Sequence, residues 1–152
     1  MYGEIDNASQ LGRTIAHARK EKKIETVGDL KKAIEKCVKR GKENKYLAQV
    51  FQTLRIEVNK ELEVLQEFLT QSMEVLKPGG RLVIISYHSL EDRMVKNIMR
   101  SGKFEGEVEK DFFGNQLSPF VQISRKPIVP SEEEILQNNR ARSAKLRIAE
   151  KK

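Results

Sequence analysis

Two short stretches hold the residue types that do chemistry. In Ser86-Tyr87-His88-Ser89-Leu90-Glu91-Asp92-Arg93 an imidazole and a hydroxyl stand side by side, with a carboxylate and a guanidinium three and four residues past Ser89. His88, Ser89 and Asp92 are therefore candidates for a catalytic rim, with His88 and Ser89 orienting a base and Arg93 holding a phosphate. In the second stretch, Asn139, Arg140, Arg142, Ser143 and Lys145 compose the donor set of a phosphate clamp, because guanidiniums and short polar donors suit phosphate oxygens. A third pair, Arg55 and Asn59, lies one helical turn apart and fits either one shared ligand or separate hydrogen bonds to its surroundings. Plainer roles stay open for all of them. Ser89 and Asp92 can cap a helix, His88 can bond the backbone, and residues 138–145 can be a solvated tail.

Several chemistries are excluded. The chain has two histidines, His17 and His88, and one cysteine, Cys37, so neither a zinc cluster nor a nucleophilic triad is supported. No P-loop, HExxH, GxSxG or even GxG occurs, so no glycine loop for a dinucleotide or adenosyl group is present. A lone cysteine excludes an internal disulfide and suits a reducing cytoplasm. Cys37 falls on an apolar helix face, which reads as buried filler. No apolar run approaches the ~20 residues that span a bilayer, and the first residues lack a signal peptide's basic and apolar regions. At 152 residues, 34% charged and 38% apolar, the chain can bury one ordinary core. Its net charge of +7 favours a polyanionic partner such as RNA or DNA.

The positioning elements follow from pattern. Pro78-Gly79-Gly80 is a turn signal, and the apolar run Leu82–Ile85 after it reads as a strand buried on both faces. Ser89 then caps a helix over 90–100 with Met94, Val95 and Ile98 inward, which places Tyr87, His88 and Ser89 at the strand's carboxyl end, where α/β sheets carry their sites. Upstream, a helix is expected over 8–21 on Leu11, Ile15 and Ala18. A second, capped by Thr26 with Asp29, carries Leu30, Ile34, Cys37 and Val38 inward and ends near Gly41. The segment Lys39–Lys45 is a basic loop. From Tyr46 to Met73, apolar residues recur every three or four positions (Val50, Leu54, Val58 and Leu62 among them), a long helix that Asn59 kinks or restarts. Pro119–Lys126 alternates as a strand, Ser131 caps a helix opening on Glu132-Glu133-Glu134, and Ala144–Glu150 is a last strand.

The order of motifs points further. LKPGGRL (Leu76–Leu82) resembles the segment that opens the fifth strand of many class I S-adenosylmethionine-dependent methyltransferases. With SYHSLEDRMVK (Ser86–Lys96), SRKPIVPSEEEI (Ser124–Ile135) and NNRARSAKLRIAE (Asn138–Glu150), the chain resembles the carboxy-terminal half of the MraW/RsmH family. FQTLRIEVNKEL (Phe51–Leu62) and Tyr2-Gly3-Glu4 fit in order too. The resemblance implies an α/β fold: a partial class I, Rossmann-like sheet of three strands with helices (46–152), and part of a helical insertion subdomain (1–45). It also implies that the last strand lies antiparallel between the other two. The implied activity is S-adenosyl-L-methionine-dependent methylation of the N4 of a cytidine in 16S rRNA of the small ribosomal subunit. His88, Ser89 and Asp92 would then line the active-site rim, and Arg55, Asn59, Arg93, Asn139, Arg140, Arg142, Ser143 and Lys145 would contact RNA. The family's cofactor loop, acidic ribose-binding position and fourth-strand motif have no counterpart in this sequence. The expectation is therefore no cofactor-binding residue here, no metal site, and no methylation by this chain alone. The rival readings are a non-catalytic basic RNA-binding module and a scaffold piece that needs a missing half. The strand at Leu82–Ser86 is expected to have an open edge, a template for a homodimer. A species that stays monomeric in sedimentation over a wide concentration range would count against edge pairing.

Overall fold

Thr26 and Asp29 build the first fixed corner. The Thr26 hydroxyl accepts the Asp29 N–H at 3.0 Å, and the Asp29 carboxylate accepts the Thr26 N–H at 3.1 Å, the reciprocal cap that their spacing predicts. The hydroxyl's own hydrogen bond to that carboxylate leads the causes that hold Asp29 below the ordinary carboxylate range. The structure, a computed structural model, describes residues 5–106, 108–115 and 117–152; Tyr2-Gly3-Glu4 lies outside them. It divides into two compact units, Met1–Glu61 and Leu62–Lys152.

The first unit is helical, with α1 (Ala8–Glu21), α2 (Val27–Ile34), a 3-10 turn (Glu35–Cys37) and α3 (Glu43–Asn59). Leu11, Leu30, Ile34, Cys37 and Val50 form its core, with Tyr46, Leu47 and Phe51 packed against it. These α3 residues complete that core. The second helix ends at Ile34, short of Gly41, because the chain tightens into the 3-10 turn. That turn brings the Cys37 thiol within 3.4 Å of the Thr14 hydroxyl on α1. Cys37 is buried filler, as its position predicts.

The long helix expected over 46–73 is two helices. Lys60 adopts a left-handed φ of 52° after α3, and α4 (Glu61–Val75) starts afresh. Such a residue costs roughly 1–2 kcal/mol. The Glu61 carboxylate draws the break together. It accepts Arg55 Nη2 at 3.1 Å and Asn59 Nδ2 at 3.2 Å, and lies in an ion pair 2.9 Å from Arg55 Nε. Within α3 Ile56 is buried, while Leu54 and Val58, expected inward, are exposed.

The second unit sets α4 and α5 (Ser89–Ser101) against a sheet of β1 (Arg81–Ser86), β2 (Phe120–Gln122) and β3 (Lys145–Lys151). The short helix α6 (Glu132–Gln137) and a 3-10 turn (Asn139–Ser143) precede β3. Strand order is β1-β3-β2 and both pairings are antiparallel, with Val83 opposite Ile148 and Gln122 opposite Ala149. The expected central place of the last strand is observed. Leu69, Leu82, Val95, Ile98, Met99, Phe120 and Ala149 make the core. β1 is not buried on both faces. Leu82 and Ser86 point inward, whereas Val83 and Ile85 are each more than half exposed, and β1 is an edge of this sheet. The expected strand 119–126 pairs regularly only to Gln122. Ser124–Pro127 loops away, and the chain rejoins β3 at Ile128, which exchanges two 2.8 Å hydrogen bonds with Leu146. Pro127, lacking an N–H, cannot extend the ladder.

Candidate active-site corner

The carboxyl end of β1 and the start of β3 meet as neighbours. Ser86, last in β1, sits opposite Lys145, first in β3, and its hydroxyl donates to the Lys145 carbonyl at 3.4 Å. The chain leaves β1 through Tyr87 and His88 into α5, and enters β3 from the 3-10 turn of Asn139–Ser143. Antiparallel pairing thus brings the two chemistry-bearing stretches to one end of the sheet.

At the corner His88, not Ser89, is the N-cap. Its Nδ1 accepts the Glu91 N–H at 3.4 Å, while Glu91 Oε2 accepts the N–H groups of Tyr87 at 2.9 Å and His88 at 3.3 Å. The box is shifted one residue from the expected Ser89–Asp92. The reason is that His88 keeps extended backbone (φ −136°, ψ 163°) and Ser89 already lies in the helix. The other ring nitrogen, Nε2, is buried 3.1 Å from Glu91 Oε1 without a hydrogen-bond partner, the one such orphan among the described residues. His88 is thereby a fixed, inward-held ring, and Ser89 is exposed on the first turn.

Asp92 turns inward. Its carboxylate accepts Arg147 Nε at 2.6 Å, Arg147 Nη2 at 3.1 Å and Lys145 Nζ at 3.4 Å, tying α5 to β3. Burial pushes this carboxyl up, but the Arg147 hydrogen bonds, the guanidinium's charge and the Lys145 ammonium outweigh it. The net shift is downward. Arg147 itself is buried. Sequence reasoning missed it, although the alternation Leu146, Ile148 against Arg147, Ala149 places that guanidinium on the inward face.

The remaining candidates separate by what they already hold. Arg93, Arg140 and Arg142 are exposed, and no ion pair engages them among the described residues. Asn139 and Ser143 are exposed on the same 3-10 turn, whose first N–H groups are partly capped by Asn138. Lys145 is shared with Asp92. Arg55 and Asn59 do face one ligand, and it is Glu61 of their own unit. Of these sequence candidates, the cationic donors left free among the described residues stand on α5, just past the corner, and on the turn entering β3.

A sequence model described as the MraW methylase family matches residues 1–152. The chain belongs to that family. It is 55% identical over 99% of its length to a Ribosomal RNA small subunit methyltransferase H of Parabacteroides distasonis, covering 50% of that protein. To proteins of the same description it is 58% identical in Christiangramia forsetii and 58% in Flavobacterium psychrophilum, covering 49% and 52% of them. The chain spans about half the length of these curated relatives. No described helix is long and apolar enough to cross a membrane.

Proposed function

We propose that this chain is the RNA-holding part of an enzyme that methylates the N4 of a cytidine in bacterial 16S rRNA, with S-adenosyl-L-methionine as donor and the cytoplasm as its setting. The observation that carries the reading is the set of unpaired guanidiniums, Arg93, Arg140 and Arg142, near the shared end of β1 and β3 in a chain whose relatives are rRNA methyltransferases. Methyl transfer to an amine is a positioning problem. Arg93, Arg140 and Arg142 hold phosphates, Ser89 and Asn139 offer short polar contacts, and the inward-held His88 fixes the corner's shape.

The residues present do not fit the donor. An adenosyl group needs close backbone approach, yet no glycine lies between Arg81 and Ser101, at the corner itself. Gly79 and Gly80 sit at the opposite end of β1, where Gly79 donates to Lys151 and a Cβ on Gly80 would meet its own turn at Lys77. Asp92 and Glu91 are both engaged. No step of the reaction is therefore assigned here to the donor.

Two measurements test this. Titrating the chain with S-adenosylmethionine is expected to give no heat; micromolar binding, about 8 kcal/mol, would overturn the assignment of the donor to residues other than these. Binding of a 16S rRNA fragment is expected to weaken steeply with salt, and R93A/R140A/R142A to flatten that dependence by about 2, at about 0.7 per phosphate contact. An unchanged slope would remove the arginines from the RNA contact. A non-catalytic RNA-binding module is the second reading, favoured by the misfit to the donor. It predicts salt-dependent RNA binding by this chain that S-adenosylmethionine leaves unchanged.

A further inference from the structure

The helical unit holds a cleft of its own. It is a space of about 370 Å³ between the residue pair leading into α1, the 37–42 segment and the first turns of α3. One wall is locked by Asn7. Its amide donates to the Cys37 carbonyl at 3.0 Å and to Gln10 Oε1 at 3.3 Å, and its oxygen accepts the Tyr46 hydroxyl at 3.0 Å. Burial leads in pushing the Tyr46 hydroxyl above its ordinary value, so it keeps the proton it donates. The wall is thus built before any ligand arrives.

The rim is cationic. Lys39, Lys42 and Lys45 line it at three-residue spacing, and Asp6 is the one carboxylate among the lining residues. Asp6 lies 3.8 Å from Lys39 with both side chains largely exposed, a contact that water and salt weaken. The Lys42 and Lys45 ammoniums have no carboxylate partner among the described residues. Among the described residues, three ammoniums and one carboxylate line a preformed concavity.

We infer that this cleft binds backbone phosphate of single-stranded RNA, a second contact separate from the arginines of the other unit. The inference rests on the rRNA reading for its choice of polyanion. Lysines act as point charges without the planar fork that reads base edges, so the contact positions RNA and does not select sequence.

The test is fluorescence anisotropy of the whole chain with a labelled single-stranded RNA, titrated at several salt concentrations. K39A/K42A/K45A is expected to flatten the plot of log affinity against log salt by about 2, from about 0.7 per lost phosphate contact. The charge-matched control K20A/K31A/K32A, at exposed positions elsewhere in the unit, is expected to change it much less. Inorganic phosphate at matched ionic strength is expected not to compete. Equal flattening by the control assigns the effect to net charge and overturns the cleft. An unchanged slope in the cleft variant, with RNA still bound, overturns the cleft while leaving the rRNA reading intact. Displacement of RNA by phosphate alone makes the cleft a small-anion pocket and overturns the RNA assignment. Absence of any RNA binding by the unaltered chain overturns both readings.

Discussion

Arg147→Ala is expected to lower the unfolding free energy by about 3–5 kcal/mol, the cost of leaving a buried carboxylate without its partner. Asp92 receives two hydrogen bonds from Arg147, and the side chains are 12% and 7% exposed. Lys145 stays 3.4 Å away but is itself 42% exposed, so it offsets part of the loss and places the effect toward the lower end. In a chain of 152 residues that is a fall in Tm of roughly 6–12 °C, at about 2–4 °C per kcal/mol. The pH dependence fixes the cause. The folded pKa of Asp92 lies below its ordinary 3.8, so its stabilisation is present above that value and is lost as pH falls through the folded pKa. The gap between Arg147→Ala and the unaltered chain should therefore be full at neutral pH and close below about pH 4. Urea denaturation across that range reads it. A gap that persists undiminished in acid would mean Arg147 acts through packing. The paired change D92L/R147M should restore most of the stability, because apolar replacement of a buried ion pair is often neutral or better.

That ion pair also marks the limit of what the sequence makes legible. The caps at Thr26 and Ser131, the inward faces of α2 and α5, and the order of the three strands all follow from local spacing or from the ordered motifs. Local spacing is read well where a single helix turn or one strand face decides the outcome. It fails where two segments far apart compete for one residue. Asp92 stands three residues after Ser89 and so reads as a cap partner, but Arg147, fifty-five positions later, takes it. Glu91 is then left to His88. The Tyr46–Met73 stripe likewise reads as one helix because periodicity is blind to Glu61, which hydrogen-bonds Arg55 and Asn59 around a break. The free arginines of the corner follow from their charge and their place at the rim and beside a strand. Their lack of carboxylate partners became visible only when β3 was laid beside β1.

The second large effect joins α5 to the sheet at a position with no side chain. Gly102 ends α5 in the left-handed region at φ +72°, with its N–H donated to Ile98 at 2.8 Å. A Cβ there would lie 2.5 Å from Pro119 Cδ and 3.0 Å from Cγ, and a proline ring cannot swing aside as a lysine tip would. Pro119 leads directly into Phe120, a core residue of β2, and its carbonyl accepts the Lys152 N–H at 3.0 Å. Gly102→Ala should therefore cost about 1–2 kcal/mol for the left-handed residue and about 1–3 kcal/mol for overpacking. Gly41→Ala separates the two, because Gly41 has φ +79° with no atom within 4 Å of its Cβ position. It should show the backbone cost alone. The excess in Gly102→Ala should appear as faster amide exchange at the β2–β3 pairing, where only three residues of β2 hold the edge. Equal losses for the two alanines would show that Pro119 yields, and that α5 and β2 are less tightly coupled than their contact implies. A larger loss at Gly102, with exchange rising at the Ile123 and Lys152 amides that donate across the β2–β3 seam, would make the close approach of Gly102 and Pro119 the joint that keeps β2 on the sheet.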